Sequence, residues 1–381
     1  MPVILIEHGP GGHPALFDAP RRLLVANHPE EVGPVLAEAE AARLAGGWIA
    51  GYLGYEAGHV FEERLRDSLK PDPGAPLVAL GVFAGPEAAA NLIAQAEAQS
   101  DNVLLAPLLP QVSRLQYEAA FARLQAYIGS GDCYQVNLTF PMETRLLSGL
   151  ALGLYGALRM RQSVGFGAFI DLSEGPVIIS RSPELFFRVR DGVIESRPMK
   201  GTAPRSPDAR EDMRLRTELA ASEKVQAENL MIVDLLRNDI ARVSRIGSVR
   251  VPELFGIDSY ATVHQMSSRI QGRLVEGVGL PDLMAALFPC GSVTGAPKIR
   301  AMQIIAELEA FPRGVYCGAI GWAAPSGDQC WSVAIRSLRL FEGGRILANV
   351  GGGVVRDSTA EGEWEEALWK ARYLQGLVRE R

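Results

Sequence analysis

Residues 197–202, with the sequence RPMKGT, contain the lysine whose neighbours best suit chemistry in this chain of 381 residues. Lys200 follows a rigid proline and precedes a small Gly-Thr step, just after a segment with strand character. A lysine held away from water loses its proton more readily, and the neutral amine is a nucleophile. Because most Lys-Gly pairs lie in surface loops, this segment alone favours a surface lysine, and the catalytic interpretation depends on the rest of the second half of the chain.

Carboxylates that could act with this lysine occur in two predicted helices. Glu228 comes just ahead of an apolar stripe in the helical region 208–242, although most helix glutamates simply face solvent. Glu363, Glu366 and Lys370 are spaced i, i+3 and i+7, which places them on one stripe of the last helix. An exposed Glu–Lys pair is the common reading of that spacing. The alternative is two carboxylates facing Mg²⁺, with a lysine beside them for an anionic substrate.

Two further polar residues adjoin apolar, strand-like segments. Glu184 follows a proline and precedes an apolar strand, an environment that raises the pKa of a carboxyl group and lets it act as a general acid. A Ser-Pro-Glu sequence is also a common turn. Arg336 lies in a strand-like run, where the alternation of inward and outward side chains would direct it to solvent. If it is buried, it needs an anionic partner from the protein or a ligand.

Two glycine-rich segments, 291–298 and 351–355, are superficially similar to nucleotide-binding loops. The first lacks the four-residue gap between glycines and the Gly-Lys-Ser/Thr ending of a phosphate loop. The second lacks the G-x-G-x-x-G order of a dinucleotide-binding loop. Both are therefore plain turns, or segments that present backbone N–H groups to a carboxylate.

The composition is that of a globular protein with ample core, at 48% hydrophobic and 22% charged residues. With a net charge of −6 and no long basic run, nucleic acid and membrane are not expected as partners. The apolar runs are too short for a membrane span or a signal peptide. The four cysteines lack C-x-x-C spacing and predict free thiols in a reducing cytoplasm. Since the histidines lack metal-binding spacing, a metal would be held by carboxylates, which favours Mg²⁺ or Ca²⁺.

Strand patterns come in runs with helices between the runs, which predicts an α+β fold of antiparallel sheets with outer helices. Ser113 and Gln116 form a capping box at a helix that ends near 129, and Ser358 with Glu361 is expected to cap the last helix. The other segments are predicted as helix at 86–99 and 208–242, the latter broken near Ser222, and as strands at 133–140, 166–200, 315–322, 331–340 and 345–355.

Seven segments resemble sequence motifs of the chorismate-utilising enzymes and occur in the same order along the chain as in that family. They are 182–184 (SPE), 198–202 (PMKGT), 227–235 (AENLMIVDL), 294–298 (TGAPK), 316–318 (YCG), 335–336 (IR), and 363–366 (EWEE) with Lys370. The similarity is dense from about 113 to 376 and thin earlier. It implies a sandwich of large antiparallel sheets with helices packed outside. It also implies an N-terminal α/β subdomain, 1–105, joined in one compact fold to a chorismate-binding catalytic region, 113–381.

Two positions distinguish the reactions of this family. Lys200 stands where anthranilate and isochorismate synthases carry alanine, and so resembles the first component of aminodeoxychorismate synthases. Gln135 stands where isochorismate and salicylate synthases use a lysine to activate water, and a glutamine amide cannot serve as that base. The resemblance therefore implies amination of chorismate rather than addition of water.

The resemblance also implies a role for each site residue. Mg²⁺ would be held by Glu228, Glu363 and Glu366 and would bind the ring carboxylate. Lys200 would attack ring C2 while the C4 hydroxyl leaves with a proton from Glu184, and ammonia would then add at C4 and expel the lysine. The product, 4-amino-4-deoxychorismate, leads to p-aminobenzoate and folate. The residues expected to contact substrate are Gln135, Gly201, Thr202, Tyr316, Arg336, Gly351, Gly352, Gly353 and Lys370.

Three departures from the family pattern limit these expectations. His264 is one position out of the anthranilate synthase pattern and is given no role, and Val225 stands where some relatives carry a further carboxylate. Segment 162–166 lacks the prolines that relatives carry around a bound tryptophan.

No amidotransferase motif is present, so ammonia is expected from a separate glutaminase subunit or from solution. The alternatives are the first component of an anthranilate synthase and a non-catalytic chorismate or tryptophan sensor. The sensor is disfavoured because it needs no nucleophile such as Lys200.

Overall fold

The computed structural model describes residues 2–260 and 263–378. Its α-helices are α1 Pro29–Leu44, α2 Ala90–Ala98, α3 Arg114–Gly129, α4 Ala151–Arg161, α5 Ala209–Ala221, α6 Glu223–Ala241, α7 Leu280–Leu287, α8 Lys298–Leu308 and α9 Ala360–Lys370. Within these ranges, no helix is long and apolar enough to cross a membrane.

The β-strands are numbered along the chain. The first eleven are β1 Val3–Ile6, β2 Ala15–Asp18, β3 Arg22–Ala26, β4 Trp48–Leu53, β5 Val78–Phe83, β6 Glu87–Ala88, β7 Leu104–Leu105, β8 Leu109–Pro110, β9 Gln135–Ser148, β10 Phe166–Asp171 and β11 Val177–Ser182. The others are β12 Leu185–Arg190, β13 Val193–Arg197, β14 Met199–Pro204, β15 Arg250–Ser259, β16 Val263–Arg273, β17 Gly295–Ala296, β18 Ala319–Ala323, β19 Gln329–Val333, β20 Ser337–Leu340 and β21 Arg345–Val354.

Strands β1 to β21 form two large sheets, and every pair of neighbouring strands among them is antiparallel. One sheet has the order β17-β9-β21-β20-β11-β10-β1-β2-β6, with β7 and β8 also on β9. The other has the order β14-β16-β13-β12-β19-β18-β4-β5-β3, with β15 also on β16. Strands from the first 105 residues thus join both sheets. The α+β sandwich of antiparallel sheets expected from the sequence is confirmed.

The two sheets face each other across an apolar interior. Ile4 and Phe17 from the first sheet share one buried cluster with Tyr52 and Phe83 from the second. The rings of Phe17 and Phe83 lie 5.4 Å apart between centroids, within the range of favourable aromatic pairs. Helices α2 and α4 cover the outer face of the first sheet, where Ala96 and Leu158 pack with Phe169.

Local signals set several helix ends. The capping box at α3 is confirmed, because the Ser113 hydroxyl accepts from the Gln116 N–H and the Gln116 side chain returns to the Ser113 N–H. Ser222 separates α5 from α6, as expected, and caps α6. The predicted capping box of the last helix is wrong. Thr359 caps α9, whereas the Ser358 hydroxyl donates to Glu363.

Two features escaped the sequence analysis. The long strands β15 and β16 were not recognised, although they pair with each other and β16 also pairs with β13 and β14. The sequence predicts a strand around Arg336, but this residue lies in the bend between β19 and β20 with a φ of 50°. The register of β14 against β16 shifts between Met199 and Thr202, so Lys200 falls in an irregular part of its strand.

Candidate active site

The glycine step Gly352–Gly353 on β21 is the point at which the candidate side chains meet. A methyl group added to Gly352 would lie 2.7 Å from Glu363 Oε2, 3.5 Å from Glu366 Oε1 and 3.6 Å from Lys370 Nζ. These three residues all belong to α9, which packs on β21. The spacing i, i+3, i+7 therefore does place the three side chains together. They lie against Gly352, where the absence of a side chain leaves room for them.

Gly353 is approached by two other side chains. An added methyl group would lie 2.7 Å from Gln135 Nε2 and 3.4 Å from Lys200 Nζ. Gln135 is fully buried on β9, the strand that pairs with β21, and neither polar atom of its amide has a hydrogen-bond partner among the described residues. Two chain segments remote in sequence thus bring a lysine and an unpaired amide to one glycine.

Lys200 has the electrostatic setting of a nucleophile. Burial lowers the pKa of its amine, and the nearby positive charge of Lys370 acts in the same direction. The carboxylates of Glu228, Glu184 and Glu366 oppose this effect without reversing it. The lysine therefore lies within the field of Glu184 and of two of the three proposed metal ligands, Glu228 and Glu366, and its neutral form is favoured relative to a free lysine.

Glu184 is held at the start of β12 as a buried acid. Its side chain is 6% exposed, and its Oε1 has no hydrogen-bond partner in the part of the chain that the structure describes. Burial raises the pKa of this carboxyl to about 6, although the Ser292 hydroxyl and the Lys200 charge act against the shift. The expected environment of a general acid is therefore present. The sequence analysis missed Ser292; its only signal was its place just before TGAPK.

The α9 carboxylates differ in their partners. Glu363 Oε1 accepts from the Ser358 hydroxyl at 2.6 Å, whereas its Oε2 is buried without a partner among the described residues. Burial and repulsion from Glu366 raise the pKa of Glu363. Glu366 pairs with Lys370 at 2.7 Å, and Lys370 also donates to the carbonyl of Gly351 at 2.8 Å. Gly351 therefore presents its carbonyl to the lysine.

Oxygen ligands of this kind suit Mg²⁺. Within residues 2–260 and 263–378, however, no three histidine, cysteine or acidic side chains converge closely enough to enclose a metal ion. Glu363 and Glu366 reach the same glycine, and the unpartnered Oε2 of Glu363 is a free ligand atom. Glu228 is partly buried on α6, near enough for its charge to act on Lys200. The residues fit a divalent cation in chemical type, with Glu363 as the best-placed ligand.

The residues expected to contact substrate differ in exposure. Tyr316 is 5% exposed. Arg336 is partly buried and makes no ion pair within the described ranges; burial lowers its pKa, and Tyr373 opposes the shift. Gly201 has a φ of 79°, and a Cβ there would lie 2.3 Å from Val225 Cγ1, so glycine is required for packing on α6. Thr202 is exposed.

Comparisons with known proteins identify the family of this chain. The profile of the family described as "chorismate binding enzyme" matches residues 1–376, and the chain belongs to that family.

Individual relatives come from two branches of the family. Aminodeoxychorismate synthase component 1 of Escherichia coli is 44% identical over 272 residues, which are 71% of this chain and 59% of the relative. Anthranilate synthase component 1 of Pseudomonas aeruginosa is 35% identical over 86% of this chain and 74% of its own length. The crystal structure of anthranilate synthase component I from Streptococcus pneumoniae superposes with a TM-score of 0.72 at 28% identity, over 86% of this chain and 80% of that one. The chain thus spans less than two thirds of its aminodeoxychorismate synthase relative.

Proposed function

We propose that this chain aminates chorismate to 4-amino-4-deoxychorismate, a step toward p-aminobenzoate and folate, with Lys200 as a covalent nucleophile and Mg²⁺ as cofactor. The observation that carries the proposal is the position of the Lys200 amine, which has a lowered pKa and lies at the Gly352–Gly353 step beside the α9 carboxylates. The 44% identity to aminodeoxychorismate synthase component 1 supports the same reaction.

Each residue has a defined part in the proposed reaction. The neutral amine of Lys200 forms a bond to ring C2, both ring double bonds shift, and the C4 hydroxyl leaves as water with the proton of Glu184. Ammonia then adds at C4, the double bonds shift back, and the C2–N bond breaks to release the neutral lysine. The Glu184 carboxylate takes the proton that the added nitrogen loses, which restores the acid. Dividing one displacement into two easier steps is the general advantage of covalent catalysis.

Charged groups around the glycine step would hold the substrate. Glu363, Glu366 and Glu228 would bind Mg²⁺, which when bound would draw electron density from the ring through its carboxylate. Arg336, which has no ion pair in the described part of the chain, would receive one of the substrate's carboxylates. Lys370, Tyr316 and Gln135 would complete the contacts to substrate.

The source of ammonia belongs to the same proposal. The relatives are named component 1, and we propose that this chain likewise works with a separate glutamine amidotransferase, or takes ammonia from solution. Purified chain incubated with glutamine alone should therefore release no ammonia above background. Substantial release would show that the chain contains its own glutaminase.

Incubation of purified protein with chorismate, ammonium and Mg²⁺, followed by mass analysis, tests the reaction itself. The expected product retains the enolpyruvyl group. The similarity to anthranilate synthase components favours one rival reaction, whose product is aromatic, fluorescent and formed with loss of pyruvate. Fluorescent anthranilate as the main product would overturn the proposal in favour of that rival.

A further inference from the structure

A small cavity of about 20 Å³ lies between the segment Tyr55–Phe61 and the residues that follow α8. Its rim includes Lys70 and Phe311, which are exposed, and its inner wall includes His59 and Arg313, which are buried. None of its lining residues belongs to the candidate active site. Its volume admits one molecule of about the size of water, and its rim opens it to solvent.

Polar groups that have no partner among the described residues belong to the lining of this cavity. His59 and Tyr55 are each 2% exposed, and neither the two ring nitrogens of His59 nor the Tyr55 hydroxyl makes a hydrogen bond of normal geometry among the described residues. The backbone of Glu56 lies near enough to oppose the effect of burial on His59, but burial prevails and lowers the pKa of His59 to about 4. The imidazole is therefore neutral, with one nitrogen to donate and one to accept.

The charged groups around the cavity already have partners. The Glu56 carboxylate accepts from the backbone N–H groups of Arg313 at 2.6 Å and Gly314 at 3.0 Å. Both oxygens of Glu309 accept from the Arg313 guanidinium. Lys70 donates to the carbonyl of Glu309 at 2.8 Å. The groups left open are neutral, so they suit a neutral guest that both donates and accepts hydrogen bonds. Water and ammonia are the two such molecules of this size in the proposed reaction.

The inner wall of this cavity is hydrogen-bonded to the segment that carries Ser292, beside the proposed acid. Arg313 donates to the carbonyl of Val293 at 2.9 Å, and Val293 follows Ser292, whose hydroxyl acts on Glu184. From the orphaned polar groups, the size and the solvent-facing rim, we infer that the His59–Tyr55 cavity is an entry site for ammonia. The inference rests on the proposed function, in which ammonia is the second substrate.

Steady-state kinetics with ammonium chloride as the varied substrate tests this site at fixed pH and saturating chorismate. His59→Leu and Tyr55→Phe each remove hydrogen-bonding capacity from the cavity, and each should raise the KM for ammonia about fivefold, the effect of one lost hydrogen bond. The kcat at saturating ammonia should not change, and neither should the KM for chorismate, measured in a second series in which chorismate is varied at saturating ammonia. Tyr52→Phe is the matched control, because its hydroxyl is also buried and unpartnered among the described residues but lies outside the cavity.

The possible outcomes separate the two claims. If the wild type forms product from ammonia but the KM for ammonia stays unchanged in both variants, the entry site is refuted while the proposed function stands. A cavity that holds only water would give that same result. Parallel changes in kcat and both KM values would also refute it, since they indicate a general structural role. If the wild type forms no aminated product, the proposed function fails, and the ammonia site fails with it.

Discussion

The Lys200 amine and the Gln135 side-chain amide lie over the same backbone residue, Gly353, at 3.4 and 2.7 Å from the position of an added methyl group. They come from β14 and β9, which belong to different sheets. The candidate active site therefore depends on how the two sheets are held relative to each other, and on a glycine that leaves room between them.

Replacing Gly353 by alanine should impair catalysis more than folding. The nearest atoms to the added methyl group are the ends of the Gln135 and Lys200 side chains, which can shift. A displacement of about 1 Å of a reacting group can lower the rate about a hundredfold. We expect kcat to fall ten- to hundredfold with a nearly unchanged melting temperature. Gly33→Ala, where nothing lies within 4 Å, is the matched control and should be fully active. A Gly353→Ala enzyme with normal kcat would contradict this geometry.

The pH dependence of kcat/KM for chorismate should show the acid role of Glu184. Its pKa is raised to about 6, so the protonated acid predominates below that pH and is lost as pH rises through it. Lys200 has the opposite effect on the rate, because the fraction of neutral amine increases as pH rises. Its lowered pKa moves this increase to a lower pH than for a free lysine. The descending limb near pH 6 should disappear in Glu184→Gln, with a rate loss of about 10²–10⁴. If that limb persists in the variant, another group is the acid.

Glu363→Gln should weaken activation by Mg²⁺. The substitution removes the charge of the carboxylate whose Oε2 has no partner among the described residues, while the remaining oxygen can still accept from Ser358. We expect the Mg²⁺ concentration for half-maximal activity to rise at least about tenfold. Glu365→Gln is the control, because Glu365 is exposed on the same helix. Equal Mg²⁺ dependence in the two variants would remove Glu363 from the metal site.

A buried ion pair away from the reacting groups should affect stability. Lys298 pairs with Asp239 and also donates to the Leu287 carbonyl at 2.8 Å, with side chains 15% and 6% exposed. Lys298→Met leaves Asp239 buried without its cation, which we expect to cost about 3–5 kcal/mol in denaturant unfolding. The exposed pair Arg214–Glu218 offers a control, and Glu218→Gln should cause no measurable change. A Lys298→Met protein as stable as the wild type would show that the pair is replaceable.

The sequence predicted the parts of the site that depend on local spacing. The stripe of Glu363, Glu366 and Lys370 follows from helical periodicity, and these side chains do meet at one glycine. The capping box of Ser113 and Gln116 could likewise be predicted, because both residues lie within one helical turn. The sandwich followed from the order of the strands and from the family resemblance.

The parts that the sequence did not predict depend on contacts between distant segments. Ser358 was assigned to a helix cap, but its hydroxyl binds Glu363, whose position is set by packing of α9 on β21. The bend at Arg336 has no glycine or proline to mark it, and the backbone there is fixed by the Arg181 N–H donating to its carbonyl. His59 and Tyr55, whose polar side-chain atoms have no partner in the described part of the chain, come together only when the folded chain forms the cavity.

The central claim is that the Lys200 amine bonds to the substrate ring before ammonia does. Mass spectrometry of protein quenched after it is mixed with chorismate and Mg²⁺ in the absence of ammonia tests this most directly. A covalent adduct is expected on the peptide that contains Lys200, and no adduct is expected in Lys200→Ala, which should still bind chorismate. A wild-type Lys200 peptide that stays unmodified, in protein that still aminates chorismate once ammonia is added, would contradict the covalent step.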